Sequence, residues 1–135
     1  MRRLVYFSNA NLDLSLSAIE EMVEEAAGRN RPLQISGMLL YNGLNFLQIL
    51  EGPPQALTPL YLRIRKDTRH SGVVKLADEG ISTRKCPDWG MKLMCAAPEC
   101  AALTQEMSPC DTSGFPGMVR AFFGFGHTTA PAELR

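Results

Sequence analysis

The side chains that could carry chemistry together lie in three short segments, residues 4–8, 46–52 and 89–91. Gln48 stands at the centre of the second segment, which otherwise reads as a strand that is apolar on both faces. A buried amide has two donors and one acceptor oxygen, and leaving them unpaired costs roughly 1–3 kcal/mol. The sequence therefore predicts that Gln48 has hydrogen-bond partners inside the protein.

Candidates for those partners follow from the alternation of side chains along strands. If the three segments belong to one sheet, Tyr6 and Ser8 share a face with Gln48, and Trp89 and Met91 add to it. A phenol beside an amide can handle a proton, but these segments supply no nucleophile, metal-binding cluster or paired carboxylates. A group bound on this face would have to bring its own reactivity.

The composition predicts a single globular domain, with 135 residues of which 45% are apolar. The chain has 14 basic residues (Lys and Arg) and 14 acidic residues (Asp and Glu). Its net charge therefore does not favour a nucleic acid or an anionic membrane as partner. No run of about 18 apolar residues is present, and the apolar run after Arg3 is too short for a signal peptide. We expect a cytoplasmic protein with neither a nucleic-acid nor a membrane partner.

The four cysteines, Cys86, Cys95, Cys100 and Cys110, include no C-x-x-C pair. Zinc sites usually contain closely spaced ligand pairs, and the two histidines do not complete such a set. We expect reduced thiols in a reducing compartment and no bound metal.

Hydrophobic periodicity and turn residues predict the elements that must position these side chains. We predict strands over residues 2–8, 33–41, 45–51, 73–81 and 89–94, one helix that Gly28 ends, and a second helix that ends near Lys66. Ser17 with Glu20 forms a capping-box pattern at the start of the first helix. Asn42-Gly43 is a strong hairpin signal between the second and third strands.

The start of the second helix has two interpretations. Thr58 could cap it with Pro59 at the first helical position, which leaves residues 53–57 as a turn. Alternatively, the helix begins earlier and bends at Pro59.

The order of elements predicts an α+β fold, a ferredoxin-like βαββαββ sheet with two helices on the face of Gln48. We assign residues 1–95 to this core. Residues 96–135 are predicted to form a C-terminal helical extension of the same domain that covers the back of the sheet. Within it, residues 122–125 (Phe-Phe-Gly-Phe) are either core or a partner-binding surface.

Several motifs follow one another in a specific order over about residues 2–94. They are Tyr6-x-Ser8, Asn30, Ile35-Ser36-Gly37-Met38-Leu39-Leu40-Tyr41, Phe46-Leu47-Gln48-Ile49-Leu50-Glu51-Gly52, Asp67-x-Arg69-His70, Arg84 and Trp89-x-Met91. In these motifs and their order the chain resembles the BLUF domains, which sense blue light with a flavin.

The resemblance implies a non-covalently bound flavin between the two helices, with its ring over the sheet. The flavin is usually FAD, with FMN and riboflavin as alternatives. Tyr6 is implied to donate an electron and a proton, and Gln48 is implied to bridge Tyr6 to the flavin N5/O4 edge. The implied flavin-binding residues are Tyr6, Arg29, Asn30, Gln48, Ile64, Arg69, His70, Trp89 and Met91.

The resemblance also implies which part of the flavin each of these side chains contacts. Asn30 would bond the pyrimidine side near O4 and N3, and Arg69 and His70 would lie at the O2 end. Either Trp89 or Met91 would partner the glutamine. The chemistry agrees, because a flavin's N3–H and two carbonyls need one mixed donor and acceptor together with several donors.

The predicted function is that of a blue-light photoreceptor and not of an enzyme. Light-driven transfer with Tyr6 would rearrange the hydrogen bonds of Gln48 and give a reversible red shift. A sensor this short is expected to signal through self-association, as a dimer or a larger oligomer, or through a separate downstream effector protein. The alternative is a flavin-less ferredoxin-like module for protein interaction or small-ligand binding.

Cys86 and Gly90 are among the residues that depart from the family pattern. Cys86 stands where the family mostly has an aromatic residue, and we expect it to loosen the packing before Trp89. Gly90, between Trp89 and Met91, is expected to add flexibility to the strand that carries the output.

Overall fold

The computed structural model describes residues 1–86 and 90–95. Its elements follow the chain as β1 (Arg2–Ala10), α1 (Leu16–Asn30), a 3-10 helix (Arg31–Leu33), β2 (Ser36–Tyr41), β3 (Asn45–Gly52), α2 (Pro54–Arg65), β4 (His70–Gly80) and β5 (Lys92–Cys95). The predicted order of strands and helices is confirmed over this part of the chain.

The five strands form one sheet in the order β4-β1-β3-β2-β5. The pairs β1–β3, β1–β4 and β2–β3 are antiparallel, and β5 joins β2 in parallel. The register places Tyr6 of β1 and Leu39 of β2 on either side of Gln48 in β3. This topology confirms the predicted α+β ferredoxin-like fold with an added strand.

Each face of the sheet carries its own apolar core. The face covered by the two helices, here called the helix face, holds Tyr6, Phe46 and Leu50 against Ile19 of α1 and Leu57 of α2. The opposite face, here called the back face, is lined by Val5, Met38, Leu40, Leu47, Ile49 and Cys86. Alternation along β1 and β3 explains this division, and the predicted assignment of side chains to faces is confirmed.

Helix α1 begins two residues earlier than the predicted capping box. Ser15, not Ser17, is the N-cap, and its hydroxyl accepts a hydrogen bond of 3.1 Å from the Ala18 amide. The earlier start brings Leu16 against the helix-face core. Both serines can cap a helix, and the packing of Leu16 favours the first of them.

Helix α2 begins at Pro54 and contains Pro59. The prediction that Thr58 caps this helix is therefore wrong, and the alternative with an earlier start is correct. Pro59 has no amide hydrogen to donate to the preceding turn. Leu57 and Leu60, buried on either side of it in the helix-face core, stabilise the helical conformation through that position.

The starts of three strands differ from the prediction. β2 begins at Ser36 and not at residue 33, because Arg31–Leu33 forms a 3-10 helix. β4 begins at His70 and not at residue 73, because its first residues still pair with the end of β1. β5 begins at Lys92, so Met91 lies just before the strand. The predictions for Trp89, for the extension over residues 96–135 and for residues 122–125 fall outside the described residues.

The described cysteines differ from each other. Cys95 is disulfide-bonded, which corrects the expectation that every cysteine is reduced. Cys86 is a free thiol, fully buried in the back-face core. Burial in apolar surroundings and the nearby charge of Glu51 raise the pKa of Cys86 to about 12.

Among the described residues, neither helix combines the length and the apolar character needed to cross a membrane.

Candidate functional site

A cleft of about 590 Å³, part of it open to solvent, lies between α1, α2 and the helix face of the sheet. Eight of the nine residues predicted to bind a flavin line it: Tyr6, Arg29, Asn30, Gln48, Ile64, Arg69, His70 and Met91. The ninth, Trp89, is outside the described residues. The cleft has the mainly apolar lining of a site for a small organic molecule.

Tyr6, Gln48 and Met91 form a continuous chain of hydrogen bonds along the cleft. The Tyr6 hydroxyl donates to the Gln48 side-chain oxygen Oε1. The Gln48 Nε2 group donates to Met91 Sδ over 3.3 Å. The predicted partners of the central amide are thus present, and Met91 occupies the position beside Gln48 in this structure.

The environment of Tyr6 keeps its phenol neutral. Its side chain is almost completely buried, and burial raises the pKa of Tyr6 far above its ordinary value, with smaller contributions from the negative charge of Asp67 and from Tyr61. The proton therefore stays on Tyr6 over the physiological pH range. This proton lies in the hydrogen bond from the Tyr6 hydroxyl to the Gln48 Oε1 atom, and both residues line the cleft.

Helix α1 ends at Asn30, so the prediction that Gly28 ends it is wrong. The Asn30 side chain is fully buried, and one of its two polar atoms has no partner in the described part of the chain. Its Nδ2 group donates to the Gly90 carbonyl over 2.8 Å. Its Oδ1 atom has no hydrogen-bond partner among the described residues. A buried amide oxygen without a donor is costly, so this atom indicates that a ligand in the cleft supplies an N–H or O–H group.

Gly90 packs directly against the main chain of α1. A Cβ atom at this position would lie 2.5 Å from the Ala27 carbonyl oxygen and 2.9 Å from the Ala27 Cα. Because Gly90 has no side chain, its main chain can lie close to the main chain of α1 at Ala27. The structure gives Gly90 a packing role, because the same residue is bonded to Asn30 and buried. The expectation that it adds flexibility stays a prediction.

We expect Gly90→Ala to lower the free energy of unfolding by about 1–3 kcal/mol, because the backbone of α1 would have to move away. Gly28→Ala is the matched control, since Gly28 lies in α1 with no atom within 4 Å of the added Cβ. That control should gain about 0.5–1 kcal/mol from reduced chain entropy. Urea unfolding of both variants measures the difference, and equal stabilities would contradict the packing role.

Arg69 is oriented by Asp67 at the mouth of the cleft. Its Nε and Nη2 groups donate to the two carboxylate oxygens over 2.9 and 2.6 Å, and its main-chain amide donates to the same carboxylate. The bond from Arg69 lowers the pKa of Asp67, so the pair stays charged at neutral pH. A fixed guanidinium at this position can present its remaining N–H groups to a carbonyl oxygen.

His70 uses both ring nitrogens inside the protein. Nε2 lies 2.6 Å from the Ile64 carbonyl oxygen and Nδ1 lies 2.7 Å from Ser8 Oγ. A carbonyl can only accept, so Nε2 carries the hydrogen, and in the neutral ring Nδ1 accepts from the Ser8 hydroxyl. His70 therefore connects β1 to α2, and its ring lies in a T-shaped arrangement with the Tyr6 ring, with centroids 6.0 Å apart.

Comparison with known proteins identifies the domain. The family model described as "Sensors of blue-light using FAD" matches residues 1–92. The chain belongs to the BLUF family. The blue light- and temperature-regulated antirepressor BluF of Escherichia coli (strain K12) is 38% identical to it over 90 residues, which are 67% of this chain and 22% of that protein. The aligned region is thus about a fifth of that relative's length.

Solved structures agree with this assignment. BlrB, a BLUF protein in its dark state, superposes with a TM-score of 0.70 and 32% sequence identity over 94% of this chain and 96% of the other. Klebsiella pneumoniae BlrP1, in a structure described with FMN and cyclic diGMP, gives a TM-score of 0.70 and 28% identity over 95% of this chain and 35% of the other.

The residues of this BLUF domain fit a flavin. The unsatisfied Oδ1 of Asn30 matches the N3–H group of the flavin ring, which needs an acceptor. Arg69 and the Gln48 amide are donors on the same cleft, as two ring carbonyls require. Flavin-dependent sensing of blue light is therefore the function of the domain.

Sequence reasoning did not assign several cleft residues to the site. These are Met22, Val23, Ala26, Leu39, Phe46, Leu50, Leu60 and Asp67. The three α1 residues repeat at helical spacing, and alternation along β3 places Phe46 and Leu50 on the face of Gln48. The signal was available, but periodicity alone does not separate a residue that packs on the core from one that borders a cleft.

Proposed function

We propose that this BLUF domain binds FAD non-covalently in the cleft and that Tyr6 and Gln48 carry its light response. The supporting observation is the hydrogen-bond chain from Tyr6 through Gln48 to Met91 along the cleft. It joins an oxidisable phenol to an amide whose donor and acceptor can exchange partners. The bound flavin supplies light absorption and, once excited, a strong oxidant.

The residues of the chain have distinct tasks in this proposal. Asn30 accepts from the ring N3–H, and Arg69 donates to the carbonyl at the O2 end. Tyr6 would give an electron to the excited flavin and its phenolic proton to the Gln48 oxygen, and both would return to Tyr6 afterwards. Gln48 is left with different hydrogen-bond partners, by rotation or by a change of tautomer, so its bond to Met91 changes.

This sequence of events explains a reversible signal. The phenol of Tyr6 is regenerated, and what persists is a new hydrogen-bond arrangement at Gln48. A different set of donors on the flavin carbonyls shifts its absorption to the red. The loss or weakening of the bond from Gln48 to Met91 conveys the change to the chain leading into β5, which starts one residue later.

FAD is proposed because the family is described by it, and FMN remains an alternative that occurs in the BlrP1 structure described above. All the polar contacts proposed here involve the ring, which FAD and FMN share. Release of the cofactor by denaturation and its separation by chromatography identifies which flavin the purified protein holds.

For the output, we propose that the domain acts as a sensor without catalytic activity and passes its state to a separate effector protein or to a second copy of itself. Support comes from relatives in which the matching region is a small part of a light-regulated protein. The dimeric or larger oligomer and the cytoplasmic location remain predictions.

An absorption spectrum of the purified protein tests the proposal directly. We expect a flavin band that shifts to the red under blue light and returns in the dark. A colourless protein that stays colourless after addition of FAD would contradict flavin binding and favour an interaction module. A flavin band that bleaches without a shift would keep the cofactor and exclude the switch at Gln48.

A further inference from the structure

Glu51 is a carboxylate on the back face with a side chain that is 0% exposed. One oxygen accepts from Arg3 Nε over 2.8 Å, and the other accepts from the main-chain amides of Lys85 and Cys86, each over 2.8 Å. A buried charge is very costly unless it is paired and hydrogen-bonded. Here the partners that satisfy it include the main chain of the connection between β4 and β5.

Arg84 fixes the same part of the connection from the other side. Its Nη1 group donates to Ser36 Oγ over 2.6 Å and to the Glu51 carbonyl over 3.1 Å. Its Nη2 group donates to the Gln34 carbonyl over 2.6 Å. Residues 84–86, together with the Arg3–Glu51 pair, are here called the back-face anchor.

The connection continues to the helix face, where it is held in a different way. The Gly90 carbonyl accepts from Asn30, and Met91 Sδ accepts from Gln48. Both donors are neutral amides, and sulfur is a weak acceptor. Hydrogen bonds to a charged group are roughly twice as strong as neutral ones. The two ends of the connection are thus held with unequal strength.

The weaker end is also the one that light changes in the proposed function. Gln48 lies on the helix face, three residues before Glu51 in β3, whose side chain lies on the back face. A new arrangement at Gln48 alters the bond to Met91 directly. It touches none of the bonds of the back-face anchor.

We propose that Glu51 is a positioning residue whose carboxylate holds residues 85 and 86 in place in both the dark and the lit state. The rearrangement at Gln48 is thereby converted into a displacement that begins at Gly90 and Met91 and passes into β5. Without the anchor the whole connection would move, and the displacement of β5 would be smaller. This inference rests on the proposed switch at Gln48.

Hydrogen exchange of the wild-type flavin-loaded protein, in the dark and under continuous blue light, tests the anchor without any mutation. The amides of Lys85 and Cys86 are themselves the donors to Glu51, so their exchange reports these bonds. We expect light to accelerate exchange over residues 92–95 and to leave residues 85 and 86 unchanged. Equal acceleration in both places would overturn the inference.

A pair of variants then separates positioning from general stability. Glu51→Gln keeps the shape but replaces one accepting oxygen by a donor, whereas Glu79→Gln removes the charge of the other, exposed partner of Arg3 and serves as control. In Glu51→Gln we expect exchange at residues 85 and 86 to be about tenfold faster already in the dark, because one charge-assisted bond is lost, and to accelerate further under light, which wild type does not show. A merely structural role would raise exchange equally in the dark and in the light, and that result would also overturn the inference.

Cys86 provides a second readout that needs no flavin chemistry. Its thiol belongs to the back-face anchor and is fully buried, so a thiol reagent should label it slowly in wild type and in Glu79→Gln, and about tenfold faster or more in Glu51→Gln, even without flavin. Equal labelling of the three proteins would show that Glu51 does not hold this segment. A wild-type protein without a red shift would instead remove the proposed function and this inference together.

Discussion

Tyr6→Phe is expected to keep flavin in the cleft and to abolish the red-shifted photoproduct. The phenyl ring retains the packing of Tyr6 in the helix-face core, but the hydroxyl that donates to Gln48 is lost. The unpaired Gln48 oxygen should lower the free energy of unfolding by roughly 1–3 kcal/mol in the absence of flavin. Light-minus-dark absorption spectra and the flavin content of the purified variant measure both effects.

Tyr61→Phe is the matched control for this experiment. The ring of Tyr61 lies 6.0 Å from that of Tyr6, so both variants remove one phenolic hydroxyl from the same region. The control should show the normal red shift. A normal shift in Tyr6→Phe would contradict the assignment of Tyr6 as the donor, and a lost shift in the control would transfer part of that role to Tyr61.

The second large effect is expected for Gln48→Leu, which should bind flavin without a normal photocycle. Leucine has a similar volume but no polar group, so it can neither accept from Tyr6 nor donate to Met91. The buried Tyr6 hydroxyl then loses its partner. Time-resolved absorption after a blue flash should show no reversible red-shifted species.

Asn45→Ala serves as control for the loss of an amide from the same strand. The Asn45 side chain donates to Asn9 at an exposed position outside the cleft. Its photocycle should match that of wild type. A wild-type red shift and recovery in Gln48→Leu would remove Gln48 from the mechanism.

Local sequence information was sufficient for the alternation of side chains within β1 and within β3. A period of two places Tyr6 and Ser8 on one face of β1, and Phe46 and Gln48 on one face of β3. The Asn42-Gly43 turn pairs β2 with β3. The predicted faces were correct because β1 pairs with β3 in the register that sets Tyr6 opposite Gln48, a pairing of residues 42 positions apart.

The helix starts were less predictable because local signals compete there. Ser15 and Ser17 are both good caps, and Pro59 is compatible with a helix start or with a helix interior. The burial of Leu16 and Leu57 decides between them. That burial depends on where each helix lies on the sheet, which the local sequence does not contain.

The candidate site, like the fold, was predicted from the sequence only in part. The motifs shared with the BLUF family pointed to Tyr6, Gln48 and Asn30, and the structure places all three on one cleft. The sequence did not show that Gly90 contacts Ala27 and Asn30, which gives this glycine a packing role that the motif did not indicate.

By itself, the sequence of this protein determined the family, the two faces of the sheet and the polar residues available to a flavin. These follow from residue type, spacing and order along the chain. Only the tertiary structure decided that Met91 partners Gln48 and that Glu51 holds residues 85 and 86. Those contacts join residues more than 30 positions apart, and their geometry exists only once the sheet and helices have packed.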